Sequence, residues 1–595
     1  MARCDPHSYA DDAQAQTAHL DWAATVDFTT QTLAATATLT FRAPAGGALD
    51  LDTRDLTIAT VVDQDHRPVP FALAAPDPIL GARLTLTLPA GTRAVTLTYR
   101  TAPTASALQW LAPAQTAGGV HPYLFSQCQA IHARSLVPLQ DTPRLRITYA
   151  ATLTVPRALT VVMAAAHRGR EVVGEHAVEA WQMPQPIPPY LLAFAVGDLA
   201  SRDLSPRCRV WAEPSVVEAA AWEFAEVEQM ITAAEALFGP YDWERFDLLT
   251  MPPSFPYGGM ENPRLTFLTP TLITGDRALV SVVAHELAHS WTGNLVTNAT
   301  AEHFWLNEGF TMYAERRIVE ALEGPAVASL HAALGRRELD ESIARFAARP
   351  ELTHLRTKLD GVDPDDAYSL VPYEKGYFFL CAIEAAVGRP AFEAWLKRYL
   401  ADFRFGAITT DDFCAHLEAA LPGALAAVDA PAWLDGPGIP ASAQAPRSER
   451  LDAVVALTGV APTAAQVAGW TATEWQLYLE LVPRPASPAL CRELDARFAL
   501  TAGTNHDVLV SWLTLALGAG ELDARGLQPK DGVVDRVEEV LTRQGRMKYL
   551  RPLYTALAKE PRTRARARAV FAKASASYHP IARQMVEGIL RDAGA

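Results

Sequence analysis

The chain has 595 residues, 49% of them hydrophobic and 20% charged, and 67 acidic residues outnumber 52 basic ones for a net charge of −15. At roughly 150 residues per domain this length calls for three or four cores, and the composition excludes a disordered tail, a collagen-like repeat and a disulfide-stapled mini-protein. The acidic balance argues against a nucleic-acid or anionic-lipid partner, and no run of about 18 apolar residues is present to span a membrane. The first residues lack an apolar leader core, and six cysteines are scattered without a CxxC pair, so the expectation is a cytoplasmic enzyme with reduced thiols. Residues 33–41, 84–88 and 95–99 alternate apolar and polar, with Pro89-Ala90-Gly91 reading as a hairpin turn, and 145–155 and 190–196 continue the pattern. Residues 1–205 therefore read as an all-β domain. From 206 to 434 the texture becomes mainly helical with a small strand component: helical spacing over 219–238, a strand at 243–251, then helices at 279–291, 307–321, 326–347, 374–386, 390–400 and 410–420. The Pro/Gly/Ala-rich stretch 435–448 reads as a linker, and 449–595 as amphipathic helices stacked in pairs like a solenoid. Arg562, Arg564, Arg566 and Arg568 fall on one of those helices and read as a solvated face.

One constellation carries chemistry. His285-Glu286-Leu287-Ala288-His289 lies in an apolar-rich helical stretch, so two imidazoles one turn apart face the same side and reach one ion. Glu308 stands 19 residues after His289, which gives His, His and Glu with an open fourth position, the donor set of a catalytic zinc. At this content of His and Glu a chance HExxH is expected about 0.02 times, and a Glu at one fixed later position lowers that to about one in a thousand. The metal would acidify water and polarise a carbonyl, and Glu286, beside a ligand, would carry the proton to the leaving amine. Tyr257-Gly258-Gly259-Met260-Glu261, followed by Asn262, is expected to bind substrate: the glycines admit close approach of a substrate backbone, and Glu261 would receive a free α-ammonium. Taken alone, Gly-Gly followed by Glu is the pattern of a turn.

With GGMEN upstream of HELAH, an 18-residue spacer and WLNEGF, the chain resembles the gluzincin metallo-aminopeptidase family. It is most similar to the leukotriene A4 hydrolase/aminopeptidase branch, through 123–130 (YLFSQCQA), 253–262 (PSFPYGGMEN), 371–376 (VPYEKG) and 544–548 (QGRMK). The resemblance spans essentially the whole chain. It implies a multidomain α+β protein: an N-terminal β saddle, a thermolysin-like mixed α/β catalytic domain and a C-terminal all-α superhelix of the HEAT/armadillo kind. It further implies one Zn2+ per chain, a monomer, and short peptides with a free N-terminus as substrates. By the same resemblance Tyr373 stabilises the oxyanion, Gln129 and Glu261 hold the substrate amine, and Arg546 and Lys548 bind a carboxylate. Glu315, seven residues after Glu308, lies on the same helical face and is a candidate partner for a zinc histidine. Asp365 and Tyr368 match positions that guide attack on a fatty-acid epoxide, although Asp365 equally suits a basic first residue. Phe310 departs from the histidine of the lipid-hydrolysing members, with local packing as its expected consequence. Three readings follow: an aminopeptidase, a bifunctional lipid epoxide hydrolase, and a non-catalytic binding protein with a structural zinc.

Overall fold

The computed structural model describes residues 4–279, 281–520 and 532–593. Period-two burial in the first 200 residues builds an eight-stranded sheet: Thr17–Asp27 turns Leu20, Trp22, Ala24 and Val26 inward. In space the strands run Ala166–Val173, His176–Ile187, Ile147–Pro156, Thr17–Asp27, Thr32–Thr53, Ala82–Arg100, Thr57–Asp63, with Phe71–Leu73 also on Ala82–Arg100. Thr17–Asp27 pairs in parallel with Ile147–Pro156 and antiparallel with Thr32–Thr53. A four-stranded sheet that includes Tyr123–Ser126 and Phe194–Gly197 shares the same core.

The expected hairpin at Pro89-Ala90-Gly91 is absent. Ala82–Arg100 is one continuous strand paired along Thr32–Thr53, its register slipping where Ala45 faces Thr92 and Gly47 faces Leu88. The partner strand carries Pro44 and Gly46-Gly47 at the same level, so both strands bulge together and the ribbon bends without reversing. The helix expected over 219–238 is likewise two helices, Val217–Glu223 and Val227–Phe238, with Phe224 buried in the break.

A five-stranded sheet follows, with the two-residue strand Gly259–Met260 at its edge on Leu265–Leu268. The helix Trp305–Glu323 is buried on nearly every side and packs on the helices Ser281–Ala288, Pro325–Arg345 and Gly376–Val387. Phe310 stacks on Tyr399 with ring centroids 5.0 Å apart and planes at 6°, which gives it the packing role expected. A Cβ added to Gly309 or Gly376 would lie 2.8 Å from the other's Cα. The helix and the π-turn Val371–Lys375 therefore touch backbone to backbone, and this sets Tyr373 over the histidines.

Residues 435–448 form neither helix nor strand, yet the segment is pinned. Lys375 Nζ donates to the Gly436 carbonyl at 2.7 Å, and Gly438 N donates to Thr353 Oγ1 at 2.8 Å. Beyond it, helices from Ala472–Leu481 to Pro580–Asp592 bury a third core that includes Trp512, Leu513 and Leu550. This unit docks on the catalytic core where Gly545 N and Met547 N donate to the Pro253 and Pro256 carbonyls at 2.8 Å each, just before Tyr257. Arg562 and Arg566 form ion pairs with Glu560, Asp535 and Glu538, as a solvated face does. The six cysteines form no disulfide among the described residues, and none of the described helices is long and apolar enough to cross a membrane.

Candidate metal centre and substrate cavity

Helix Ser281–Ala288 carries His285 and Glu286 and ends just before His289, while Glu308 sits in the first turn of Trp305–Glu323. The two Nε2 atoms lie 3.2 Å apart, and each is 3.5 Å from Glu308 Oε2. A tetrahedral zinc with bonds of about 2.0–2.1 Å separates its ligand atoms by about 3.4 Å. The opposite ring nitrogens are already held: His285 Nδ1 by Glu315 Oε2 at 3.0 Å, and His289 Nδ1 by the Thr292 carbonyl at 3.1 Å. Both Nε2 lone pairs thus point at the same place. Glu308 Oε2 is buried there without a hydrogen-bond partner. Burial opposes charge on His285, but the Glu308 and Glu315 carboxylates hold its imidazole well above the ordinary value, so the cluster calls for a positive charge. Burial pulls His289 down to about 4, the neutral form a ligand needs. Glu261, Glu286 and His289 also converge within 4.8 Å, but that group has one nitrogen, so the first set fits zinc better.

Glu286 is buried, and burial with the nearby Glu261 and Glu308 carboxylates pushes its carboxyl well above the usual range. Its carboxylate covers the Cα of Gly259, where a Cβ would meet Glu286 Oε1 at 2.3 Å. Strand alternation then decides the neighbours. Gly259 and Glu261 face the site, whereas the Met260 side chain faces the core and its sulfur accepts from Gln127 Nε2 at 3.1 Å. Met260, expected to bind substrate, therefore packs in the core, and the residues that line the cavity here are Tyr257, Gly258, Gly259 and Glu261. Glu261 is 4% exposed, accepts from Gln129 Nε2 at 3.1 Å, and is pushed up by burial to about 7.

Across the cleft, the Tyr373 ring lies nearly parallel to that of His285, with centroids 6.1 Å apart and planes at 17°. Burial, then the Glu308 carboxylate, pushes its phenol well above the ordinary value, so it stays a donor. Tyr368 Oη lies 3.5 Å from Tyr373 Oη, and the Tyr257 ring faces Tyr368 at 6.2 Å. Asp365 lines the same cavity but is engaged by His132 Nε2 at 2.9 Å, whose other nitrogen meets Ser106 Oγ at 2.8 Å. Nothing in the local sequence marks His132, because its partner is 233 residues away.

Arg546, buried, donates to Tyr549 Oη at 2.7 Å and lies 3.7 Å from Asp507, and Lys548 lies 3.8 Å from Asp507 and 3.5 Å from Glu338. A Cβ on Gly258 would meet the Arg546 guanidinium at 2.8 Å, so the helical unit reaches the backbone beside Gly259. Together these groups line one cavity of about 1810 Å³, running from the histidines between the catalytic and helical units. That exceeds the roughly 300–1,000 Å³ of small-molecule pockets.

The peptidase family M1 domain matches residues 222–432, the peptidase M1 N-terminal domain 16–191, and the leukotriene A4 hydrolase C-terminal domain 470–590. The chain is 38% identical to leukotriene A-4 hydrolase of Xenopus laevis over 98% of each chain. It is also 38% identical to leucine aminopeptidase 2 of Aspergillus niger, over 90% of this chain and 89% of the relative. Among solved structures, yeast LTA4 hydrolase in complex with bestatin superposes with a TM-score of 0.91 at 32% identity, covering 99% of this chain and 97% of that one. These matches run through all three cores, and the chain belongs to the peptidase M1 family, in the branch that carries a leukotriene A4 hydrolase C-terminal domain.

Proposed function

We propose that this chain is a zinc-dependent aminopeptidase that removes the N-terminal residue of short peptides, with one ion per chain held by His285, His289 and Glu308. The observation that carries the reading is the position of Glu261, whose carboxylate lies within 4.8 Å of both the Glu286 carboxylate and the His289 imidazole. Backbone bonds of about 1.46 and 1.52 Å put the first carbonyl carbon about 2.5 Å from the α-nitrogen. An ammonium docked on Glu261 and Gln129 therefore brings the first peptide bond, and no later one, to Glu286.

When bound, the ion supplies Lewis acidity that acidifies water and polarises the carbonyl. The edge backbone at Gly258 and Gly259 aligns the peptide as an added strand. Glu286 accepts the proton of the attacking water and passes it to the departing amide nitrogen. The Tyr373 phenol donates to the oxygen on which charge develops. Arg546 and Lys548 receive the carboxylate of the peptide. The reading includes a monomer in the cytoplasm.

The test compares an unblocked arginyl or alanyl tripeptide with its N-acetylated twin, before and after chelation and after zinc is restored. The expected outcome is cleavage of the free-amine peptide alone, lost with the metal and recovered with it. Equal cleavage of both peptides would remove Glu261 from amine docking.

The Tyr368–Tyr373 pair beside Asp365 in so large a cavity favours a second reading, hydrolysis of a fatty-acid epoxide as an additional activity. There Tyr368→Phe and Asp365→Asn would damage epoxide opening more than peptide cleavage, and equal loss of both activities would count against it.

A further inference from the structure

The Tyr373 phenol itself is loosely kept. Its only hydrogen-bond contact among the described residues is Tyr368 Oη at 3.5 Å, and the rings of His285 and Phe304 lie 6.1 Å from its own. A contact of that length does not fix a donor. The next residue is held quite differently. Glu374 is buried, and its carboxylate meets the buried Arg316 guanidinium fork to fork: Nη1 donates to Oε2 at 2.8 Å and Nη2 to Oε1 at 2.7 Å. Arg316 stands on Trp305–Glu323, the helix that supplies Glu308 and Glu315, and directly follows the second of these. Its guanidinium also donates to the His331 carbonyl at 3.2 Å and lies over the Tyr377 ring, 4.0 Å from the centroid. A Cβ on Gly335 would collide with the Glu374 carboxylate, so helix Pro325–Arg345 closes over the pair with bare backbone.

Stability does not account for such a pair. Desolvation of two charges offsets most of their attraction, and apolar side chains of similar volume often serve the fold as well. What apolar packing does not supply is direction, because two parallel N–H···O bonds fix a carboxylate in the plane of a guanidinium. We propose that Arg316 and Glu374 are positioning residues for Tyr373, a brace that fixes its phenol relative to the zinc-ligand helix so that it meets the oxyanion. The inference rests on the aminopeptidase reading, in which Tyr373 donates to that oxygen. The close approach of Gly309 and Gly376 sets the spacing of helix and turn, and Lys375 fastens the turn to the Thr353 and Gly436 carbonyls. Arg316 and Glu374 add a side-chain link that runs to the ligand helix itself. Both Glu374 oxygens are engaged by Arg316, so the pair acts through Tyr373 and not on the substrate.

The experiment measures kcat, KM and zinc affinity of the zinc-loaded full chain on an unblocked alanyl tripeptide, with and without Y373F. R316M/E374M removes both charges at once and so leaves no unpaired ion in the interior. E374Q keeps the shape and replaces one acceptor oxygen by a donor. Each is expected to lower kcat by about tenfold, a part of the roughly 10²–10³ that loss of an oxyanion donor costs. KM and zinc affinity are expected to change by less than about twofold. In the Y373F background the same substitutions are expected to lower kcat by less than about twofold, because the group they position is gone. Thermal unfolding midpoints check that the variants are folded, and should one be unstable the other carries the comparison. An equal fall in kcat in both backgrounds is general loosening of the fold and overturns the brace, as does an undiminished kcat in the folded variants. A fall in zinc affinity that accounts for the lost rate also overturns it, since the pair then acts through Glu315. All three outcomes leave the aminopeptidase reading standing. Failure of wild type to cleave any unblocked peptide takes both down.

Discussion

The cavity has two walls built in different ways. On the histidine wall both imidazoles have a second attachment, His285 to Glu315 and His289 to Thr292, and Glu286 lies on the bare Cα of Gly259. On the facing wall, made by 364–375 and the helical unit, the groups lean on one another: Asp365 on His132 of the N-terminal unit, Arg546 on Asp507, Tyr368 on Arg345. The first wall suits a reaction that tolerates little displacement, and the second suits recognition of substrates that vary. Substitutions on the first wall should therefore act on kcat and metal, and those on the second on KM and substrate preference.

The largest effect is expected at Glu286. Glu286→Gln keeps the shape, removes the proton acceptor, and should lower kcat by about 10²–10⁴ with zinc content unchanged. Loss of bound metal in that variant would move Glu286 from base to ligand and dissolve the distinction. Next comes Glu315→Gln, which weakens the hold on His285 Nδ1 without touching the ligand atom. A loss of about 10–100-fold in zinc affinity is expected, read by competition with a chelator. The two glycines then sharpen the comparison between adjacent residues. A Cβ at 259 collides with Glu286 Oε1 at 2.3 Å, but a Cβ at 258 meets only the end of the Arg546 side chain at 2.8 Å. Gly259→Ala should therefore lower kcat by at least about tenfold, whereas Gly258→Ala should chiefly raise KM, and by less.

The contrast between the walls is also a contrast in what the sequence discloses. His285, Glu286, His289 and Glu308 are legible because their relation is local, a helical turn plus a fixed spacer. Glu315 is legible because seven residues return to the same helical face. Glu338 and His132 are invisible beforehand, because their partners lie hundreds of residues away in another domain, and Asp507 because its partners Arg546 and Lys548 come from a different helix of the same unit. The motif groups Met260 with its neighbours, whereas strand alternation turns it to the core. At Pro89-Ala90-Gly91 the same residues serve a turn or a bulge, and only the matching Pro44 and Gly46-Gly47 of the paired strand decide between them.

The effect that is smallest near neutrality concerns how the facing wall is pinned. Lys375, two residues after Tyr373, is fully buried, donates to the Thr353 and Gly436 carbonyls at 2.9 and 2.7 Å, and is pulled down by burial to about 7. A neutral amine has two N–H groups, which matches its two acceptors. Between pH 7 and the unfolded value near 10.5 the unfolded chain holds a proton that the folded chain lacks, so this group makes stability rise with pH across that window. From pH 7 to 9 the gain is on the order of 2 kcal/mol. Denaturant midpoints measured at both pH values should differ by less in Lys375→Met than in wild type. At pH 7 the variant should still be the less stable of the two, because both carbonyls lose their donor. An unchanged pH dependence in Lys375→Met would mean that the amine stays charged in the fold. The loop bearing Tyr373 would then be held to the 435–448 segment by an ionic contact.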